Sequence, residues 1–191
     1  SHLSKNVKLD LAISIWTYWT DTGNDNGAWV LGLQNENNTH IKSLKLVNPS
    51  SFVWIANTDS GNFAEYTVNL SSYSVNLKNN WNHIVLNSDV DGIVDVFING
   101  ISVNTSHINL TNGTATQQYN FESNHITVGA GWNRYNDTII GKYQGQLDDL
   151  TLFNGRLYQA DVDLLYSLGY PYVIPTTVTY VDYDLSIVAY Y

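Results

Sequence analysis

Residues 9–19, LDLAISIWTYW, alternate with a period of two, placing Leu9, Leu11, Ile13, Ile15, Thr17 and Trp19 on one face and Asp10, Ala12, Ser14, Trp16 and Tyr18 on the other. Alternation sustained over this length predicts a long strand with one strongly apolar face. The polar run DTGNDNG at 21–27 then predicts a loop, AWVLGLQ at 28–34 a second strand, and NENNTH at 35–40 a turn. IKSLKLV at 41–47 and SFVWIAN at 51–57 read as strands paired across Asn48-Pro49, and FAEYTVNL at 63–70 follows the turn DSGN. WNHIVLNS at 81–88, IVDVFI at 93–98 and ISV at 101–103 form a meander whose second turn, Asn99-Gly100, is a strong short-range hairpin signal. HITVGAG at 125–131 and IIGKYQG at 139–145 flank the loop WNRYND, and QLDDLTLF at 146–153 is a further strand. One helical pattern occurs: QADVDLLYSLG at 159–169 sets Val162, Leu165, Tyr166 and Leu168 near one stripe, with Gly169 as its stop. No internal repeat of fixed period is visible.

About a dozen short strands with regular turn signals predict an all-β, two-sheet antiparallel jelly-roll sandwich with one short helix near 159–168. Composition agrees. Tyr and Trp total 20 of 191 residues, 14 of the 17 acidic residues are Asp, and good helix formers are scarce. A single core of this size needs no disulfide or metal to fold. The chain has no cysteine, which excludes disulfide frameworks, Cys-ligated zinc and thiol catalysis. Eight basic against 17 acidic residues give a formal charge of −9, a poor match to nucleic acid or to anionic membranes. No apolar run approaches the ~18 residues that span a bilayer, and no signal peptide is visible. Methionine is absent even at position 1, which points to a processed product or a fragment, and Ser1-His2 reads as a tag remnant.

Three stretches carry a family likeness. Ile13-Ser14-Ile15-Trp16 opens the first strand. Trp81-Asn82-His83-Ile84-Val85 precedes Val94-Asp95-Val96-Phe97-Ile98-Asn99-Gly100. Ile126-Thr127-Val128-Gly129 precedes Tyr143-Gln144-Gly145-Gln146-Leu147-Asp148-Asp149-Leu150-Thr151-Leu152-Phe153-Asn154, with the short helix after it. In order and spacing over 9–169 this resembles the laminin-G-like and pentraxin-like branch of the concanavalin A-type lectin/glucanase superfamily. The resemblance implies a two-sheet jelly roll with a concave face over residues 1–169. Domains of that family open on a strand that is not found at the front of this chain, yet Leu185-Ser186-Ile187-Val188-Ala189-Tyr190-Tyr191 is similar to it. Residues 170–191 are therefore expected to be a connector plus a C-terminal strand. That strand would act in cis, be donated to a neighbouring domain or subunit, begin a further repeat, or be an ordinary edge strand.

Catalytic signatures are lacking. Glucanases of the superfamily use Glu-x-Asp-x-x-Glu on one strand, and none of Glu36, Glu65 or Glu122 begins it. With Arg134 and Arg156 the only arginines, a polysaccharide-lyase cluster is not expected either. The chain is therefore expected not to be an enzyme. His83, on a strand, reads as a packed, hydrogen-bonded histidine. Of Asp148 and Asp149, one is expected to satisfy backbone donors, a structural role being favoured over a ligand role. Calcium takes oxygen ligands, and Asp21 and Asp25 in one loop and Asp89 and Asp91 in another are its candidates, without EF-hand spacing. The competing reading is that these are turn residues.

Sugar binding needs flat rings against pyranose C–H faces and planar polar groups for hydroxyls. The loop at 131–137 offers Trp132 and Tyr135 for stacking and Asn133, Arg134 and Asp137 for hydrogen bonds. Trp16 and Tyr18 project from the face opposite to the leucines and isoleucines of their strand and would add a platform, although packing is the favoured reading for Trp16. Asn-x-Ser/Thr triplets occur at Asn37, Asn69, Asn104, Asn109, Asn112 and Asn136, and the three within 104–114 suggest an exposed polar loop. The expectation is a non-catalytic glycan-binding or adhesion module of an extracellular, cell-surface or virion protein. Its partners would be a glycan or glycoprotein and, through the C-terminal strand, another copy of itself. The rival is a capsid, spike or filament subunit that binds no sugar, and a polysaccharide hydrolase comes third.

Overall fold

A computed structural model describes residues 11–20, 27–34, 41–57, 63–89, 92–113, 125–133 and 138–169. Thirteen strands and one helix follow in order: β1 (Leu11–Trp19), β2 (Ala28–Gln34), β3 (Ile41–Asn48), β4 (Ser51–Asn57), β5 (Phe63–Asn69), β6 (Trp81–Asp89), β7 (Gly92–Ile98), β8 (Ile101–Ser102), β9 (Ile108–Asn112), β10 (His125–Val128), β11 (Gly131–Asn133), β12 (Thr138–Ile140), β13 (Gly145–Asn154) and α1 (Gln159–Leu168). They build a five-stranded antiparallel sheet, β13-β1-β6-β7-β8, packed on a six-stranded one, β10-β2-β3-β4-β5-β9, with β11 and β12 as a separate hairpin. This is the jelly-roll sandwich that the alternation predicts. At the β7–β8 turn Asn99 and Gly100 have φ of 51° and 80°, the left-handed pair that a two-residue hairpin turn requires.

The core lies between the sheets. Ile13, Ile15 and Trp19 of β1 meet Leu44, Leu46, Phe52 and Trp54 of β3 and β4, all but excluded from water. The polar side chain of Thr17 shares that face and is also buried. One expectation needs correcting: 104–114 is not all loop. Residues 108–112 form β9, pairing with β5 through Tyr66 opposite Leu110 and Thr67 opposite Asn109. The sequence INLTN is too polar to announce a strand, because as an edge strand it buries little.

The outer face of the five-stranded sheet is covered. Ala12 of β1, Val85 of β6 and Phe97 of β7 form a second apolar cluster with Leu157 and Val162, flanked by Phe153 and Leu165. Two polar contacts fix this cover. The buried Asn87 side chain accepts from the Leu157 N–H at 3.0 Å and donates to the Leu157 carbonyl at 2.7 Å, copying the pattern of a neighbouring strand. Arg156 then pairs with Asp95 on β7, its Nε 2.7 Å from Oδ2. The Tyr158 N–H donates to the Asp161 carboxylate at 2.8 Å, an acidic group at the positive end of the helix. Leu168, expected on the packed stripe, instead points to solvent.

Between Ser14 and Trp16 the β1–β13 register slips by one residue, and Asp149 takes a left-handed φ of 48° there. Asp148 Oδ1 accepts the Asp149 N–H at 2.9 Å, so one of the two carboxylates serves the backbone as expected.

Replacing Asn87 with Ala leaves two buried backbone groups of Leu157 without partners. At roughly 1–3 kcal/mol for each unsatisfied group, the variant is expected to lose about 3 kcal/mol of unfolding free energy in urea titration. Asn87→Ala with wild-type stability would mean that water replaces the amide.

Candidate functional site

The residues singled out for sugar stacking meet different fates. Trp16 is 2 % exposed, so it is not a platform. Its ring stacks on His83 at 5.0 Å and on Tyr166 of α1 at 5.5 Å. The sequence shows correctly that Trp16 faces away from the leucines and isoleucines, but not that a helix lies over that face. Tyr18 is half-buried beyond the helix, tilted against Trp81 directly opposite it on β6, with ring centroids 5.6 Å apart. Trp132 and Asn133 lie in β11 rather than in a loop. Their side chains, and all of Arg134, Tyr135 and Asp137, lie outside the described residues. So do Asp21, Asp25 and Asp91, while Asp89 ends β6 with its side chain undescribed. Among the described residues no three acidic or histidine side chains gather to hold a metal.

His83 is 1 % exposed, and its Nε2 shares a 2.8 Å hydrogen bond with Ser14 Oγ. A Ser–His contact is also the core of a nucleophilic site, but there a third group orients the base. Here His83 Nδ1 has no hydrogen-bond partner, and both side chains are sealed under α1. Burial lowers the His83 pKa from 6.5 to about 4. The unfolded chain therefore takes up a proton near pH 6.5 that the folded chain refuses until about pH 4. Stability is expected to fall by about 3 kcal/mol as pH drops through that window and to level off below it. Urea midpoints across the window check this, and a His83→Gln variant should lack this component of the decline.

With one outer face covered, the other is the outer surface of the six-stranded sheet. Residues directly opposite on neighbouring strands share a face. Trp29 of β2 lies opposite Lys45 of β3, Lys45 opposite Val53 of β4, and Val53 opposite Thr67 of β5. A parallel row runs Thr127, Gly32, Ser43, Ile55, Glu65. Leu44, Leu46, Phe52 and Val68 occupy the other side, in the core. These rows set an indole, an ammonium, hydroxyls and a carboxylate on one surface. Lys45 Nζ lies 5.3 Å from the centre of the Trp29 ring. Thr67 and Thr111 hydroxyls bond each other at 3.2 Å, and Thr111 donates to the Glu65 carbonyl at 3.1 Å.

The β11–β12 hairpin stands at the Trp29 end of this face. The Trp29 N–H donates to the Gly141 carbonyl at 3.2 Å. The indole lies flush against the backbone of Gly131 and Gly141, where a Cβ on Gly131 would sit 2.5 Å from Trp29 Cδ2 and one on Gly141 would strike Trp29 Cδ1. The hairpin is thus seated on Trp29 through Gly131 and Gly141. Trp29 and Lys45 escaped notice in the sequence because AWVLGLQ reads as an apolar run. A register slip between Trp29 and Leu31 breaks its alternation and turns Trp29 outward.

A laminin-G model described as concanavalin A-like lectin/glucanases superfamily matches residues 2–163. The chain belongs to that superfamily. No curated protein matches it in sequence. Among solved structures it is similar to a heptameric SAP-like pentraxin from Limulus polyphemus, with a TM-score of 0.57 at 14 % identity over 84 % of this chain and 70 % of that one. It is also similar to the binding domain of botulinum neurotoxin serotype G, with a TM-score of 0.62 at 17 % identity over 87 % of this chain. The receptor-binding domain of the mosaic C/D toxin gives 0.58 at 15 % identity over 84 % of this chain. The chain spans 39 % and 37 % of those two toxin domains. At these identities the likeness is one of fold. Among the described residues no helix is long and apolar enough to cross a membrane.

A methyl group at Gly131 is expected to push Trp29 off the hairpin. The overpacking amounts to roughly 1–3 kcal/mol, so Gly131→Ala should speed amide exchange in 131–133 at least about fivefold while the amides of β6 stay protected. Unchanged exchange would show that the hairpin does not depend on this contact.

Proposed function

We propose that the chain is a non-catalytic glycan-binding module of a surface-exposed protein, and that it binds on the outer face of the six-stranded sheet beside the β11–β12 hairpin. The observation that carries this reading is the company kept by Trp29. An indole, Lys45, Thr67, Thr127 and Glu65 lie on one surface with Gly131 and Gly141, at the foot of the β11–β12 hairpin, beside it, and Trp132, Asn133, Arg134, Tyr135 and Asp137 follow Gly131 in the sequence. Rings for pyranose faces and fixed polar groups for hydroxyls are what carbohydrate recognition requires. Tyr18 with Trp81, on the opposite sheet, is a secondary aromatic spot of the same chemistry. Asn69, Asn104, Asn109 and Asn112 are exposed, which suits a glycosylated extracellular, envelope or virion surface. Asn69 and Asn104 also have a local role: their Oδ1 atoms accept the N–H groups of Ser71 and Ser106, each at 2.9 Å.

Lys45→Ala and Trp132→Ala are the variants to compare with wild type on a glycan array, with and without calcium. Each is expected to lower affinity about fivefold, the worth of one stacking or cation–π contact of roughly 1 kcal/mol, without shifting the urea midpoint. Undiminished retention in both variants would remove this face as the site. A capsid, spike or filament role is the second reading, favoured by one observation: β13 and β10 each end a sheet with no further strand beside them among the described residues.

A further inference from the structure

The two sheets do not close against each other along the edge formed by β13 and β10. Leu147 and Leu152 of β13 lie opposite the inward-facing Thr17 and Ile13, and Leu150 packs on the same core, yet all three are only half-buried. Across the seam, Ile126 and Val128 of β10 lie opposite the core residues Leu33 and Leu31 and so face inward as well. They are nevertheless 41 % and 51 % exposed. The two edges are neighbours: Tyr143 donates its N–H to the Gly129 carbonyl at 2.7 Å, and a Cβ on Gly129 would sit 3.8 Å from Leu147 Cδ1. Inward-pointing apolar side chains are normally the best buried in a sandwich, and an unpaired strand edge is a template for another strand. Among the described residues this seam has both features in one place.

We infer that the seam is filled by the C-terminal segment Leu185–Tyr191 of a second copy of the chain, added as a strand along β13. The segment has the required pattern: Leu185, Ile187 and Ala189 on one face, Ser186, Val188 and Tyr190 on the other. The first face supplies an apolar row for Leu147, Leu150, Leu152, Ile126 and Val128. Connector length argues for a second copy rather than the chain's own tail. Gly169 lies against the Trp16 indole, one strand away from β13. The free edge of β13 is thus about 10 Å off, whereas residues 170–184 can span roughly 50 Å. Connections within a compact domain need only about 2–6 residues, and Pro171 and Pro175 stiffen this one. Donated in one direction such pairing runs head-to-tail into rings or chains of copies, and exchanged reciprocally it closes as a two-fold dimer.

The test uses the full chain. Light scattering is expected to show mass rising with concentration, and Ile187→Asp to remain monomeric with an unchanged thermal midpoint. The peptide 184–191 in excess should shrink the wild-type oligomers. Because the chain has no cysteine, cysteine pairs placed at Asp148 or Thr151 and at Ser186 or Val188 report on this contact alone. Disulfide-linked dimers and larger species on a non-reducing gel support the proposal. A wild type that is monomeric at every concentration overturns it. So do disulfides formed only within one chain, or an Ile187→Asp monomer with a lowered midpoint, because these place the strand in cis.

Discussion

The side chain of Asn87 does for Leu157 what a neighbouring strand would do, accepting its N–H and donating to its carbonyl. That exchange holds the segment before α1 down on the five-stranded sheet, and the cluster of Val85, Phe97 and Val162 then excludes water beneath the helix. Much else depends on this cover. It buries Trp16, leaves the Ser14–His83 pair dry and neutral, and covers the middle of the outer face of the five-stranded sheet. A sandwich built the same way without the helix would leave two broad faces open. This one leaves its six-stranded sheet and the Tyr18–Trp81 corner.

The remaining face combines two kinds of order. Across the sheet, the antiparallel register lines up Trp29, Lys45, Val53 and Thr67. Along its rim, the β11–β12 hairpin leans on Trp29. Superfamily membership supplies a scaffold rather than a ligand. Pentraxin and toxin binding domains share the scaffold with this chain at identities too low to carry over any particular contact.

Period-two alternation made most of the sandwich readable, since residues such as 9–19 and 93–98 face a core on one side and must repeat every second position. Asn99-Gly100 announced its hairpin because few other pairs tolerate two left-handed residues in succession. The misses have physical causes. β9 belongs to a sheet edge, where polar residues suffice. Trp29 was hidden by a bulge that shifts alternation out of phase. Trp16 was placed on the correct face, but the helix covering it comes from a segment 150 residues further on, and no local pattern signals such contacts. Asn87 looked like any polar residue at the end of a strand, although its partner lies 70 positions away.

The glycines under Trp29 divide labour within the hairpin. At Gly131 and Gly141 the fit to the indole leaves no room for a side chain, so these positions are closed to variation. A foundation fixed at two glycines holds the hairpin on the sheet by backbone alone, independently of the side chains the hairpin carries. Relatives descended from one such ancestor could then diverge in what they recognise while keeping the same backbone, with selection acting on a handful of adjacent codons.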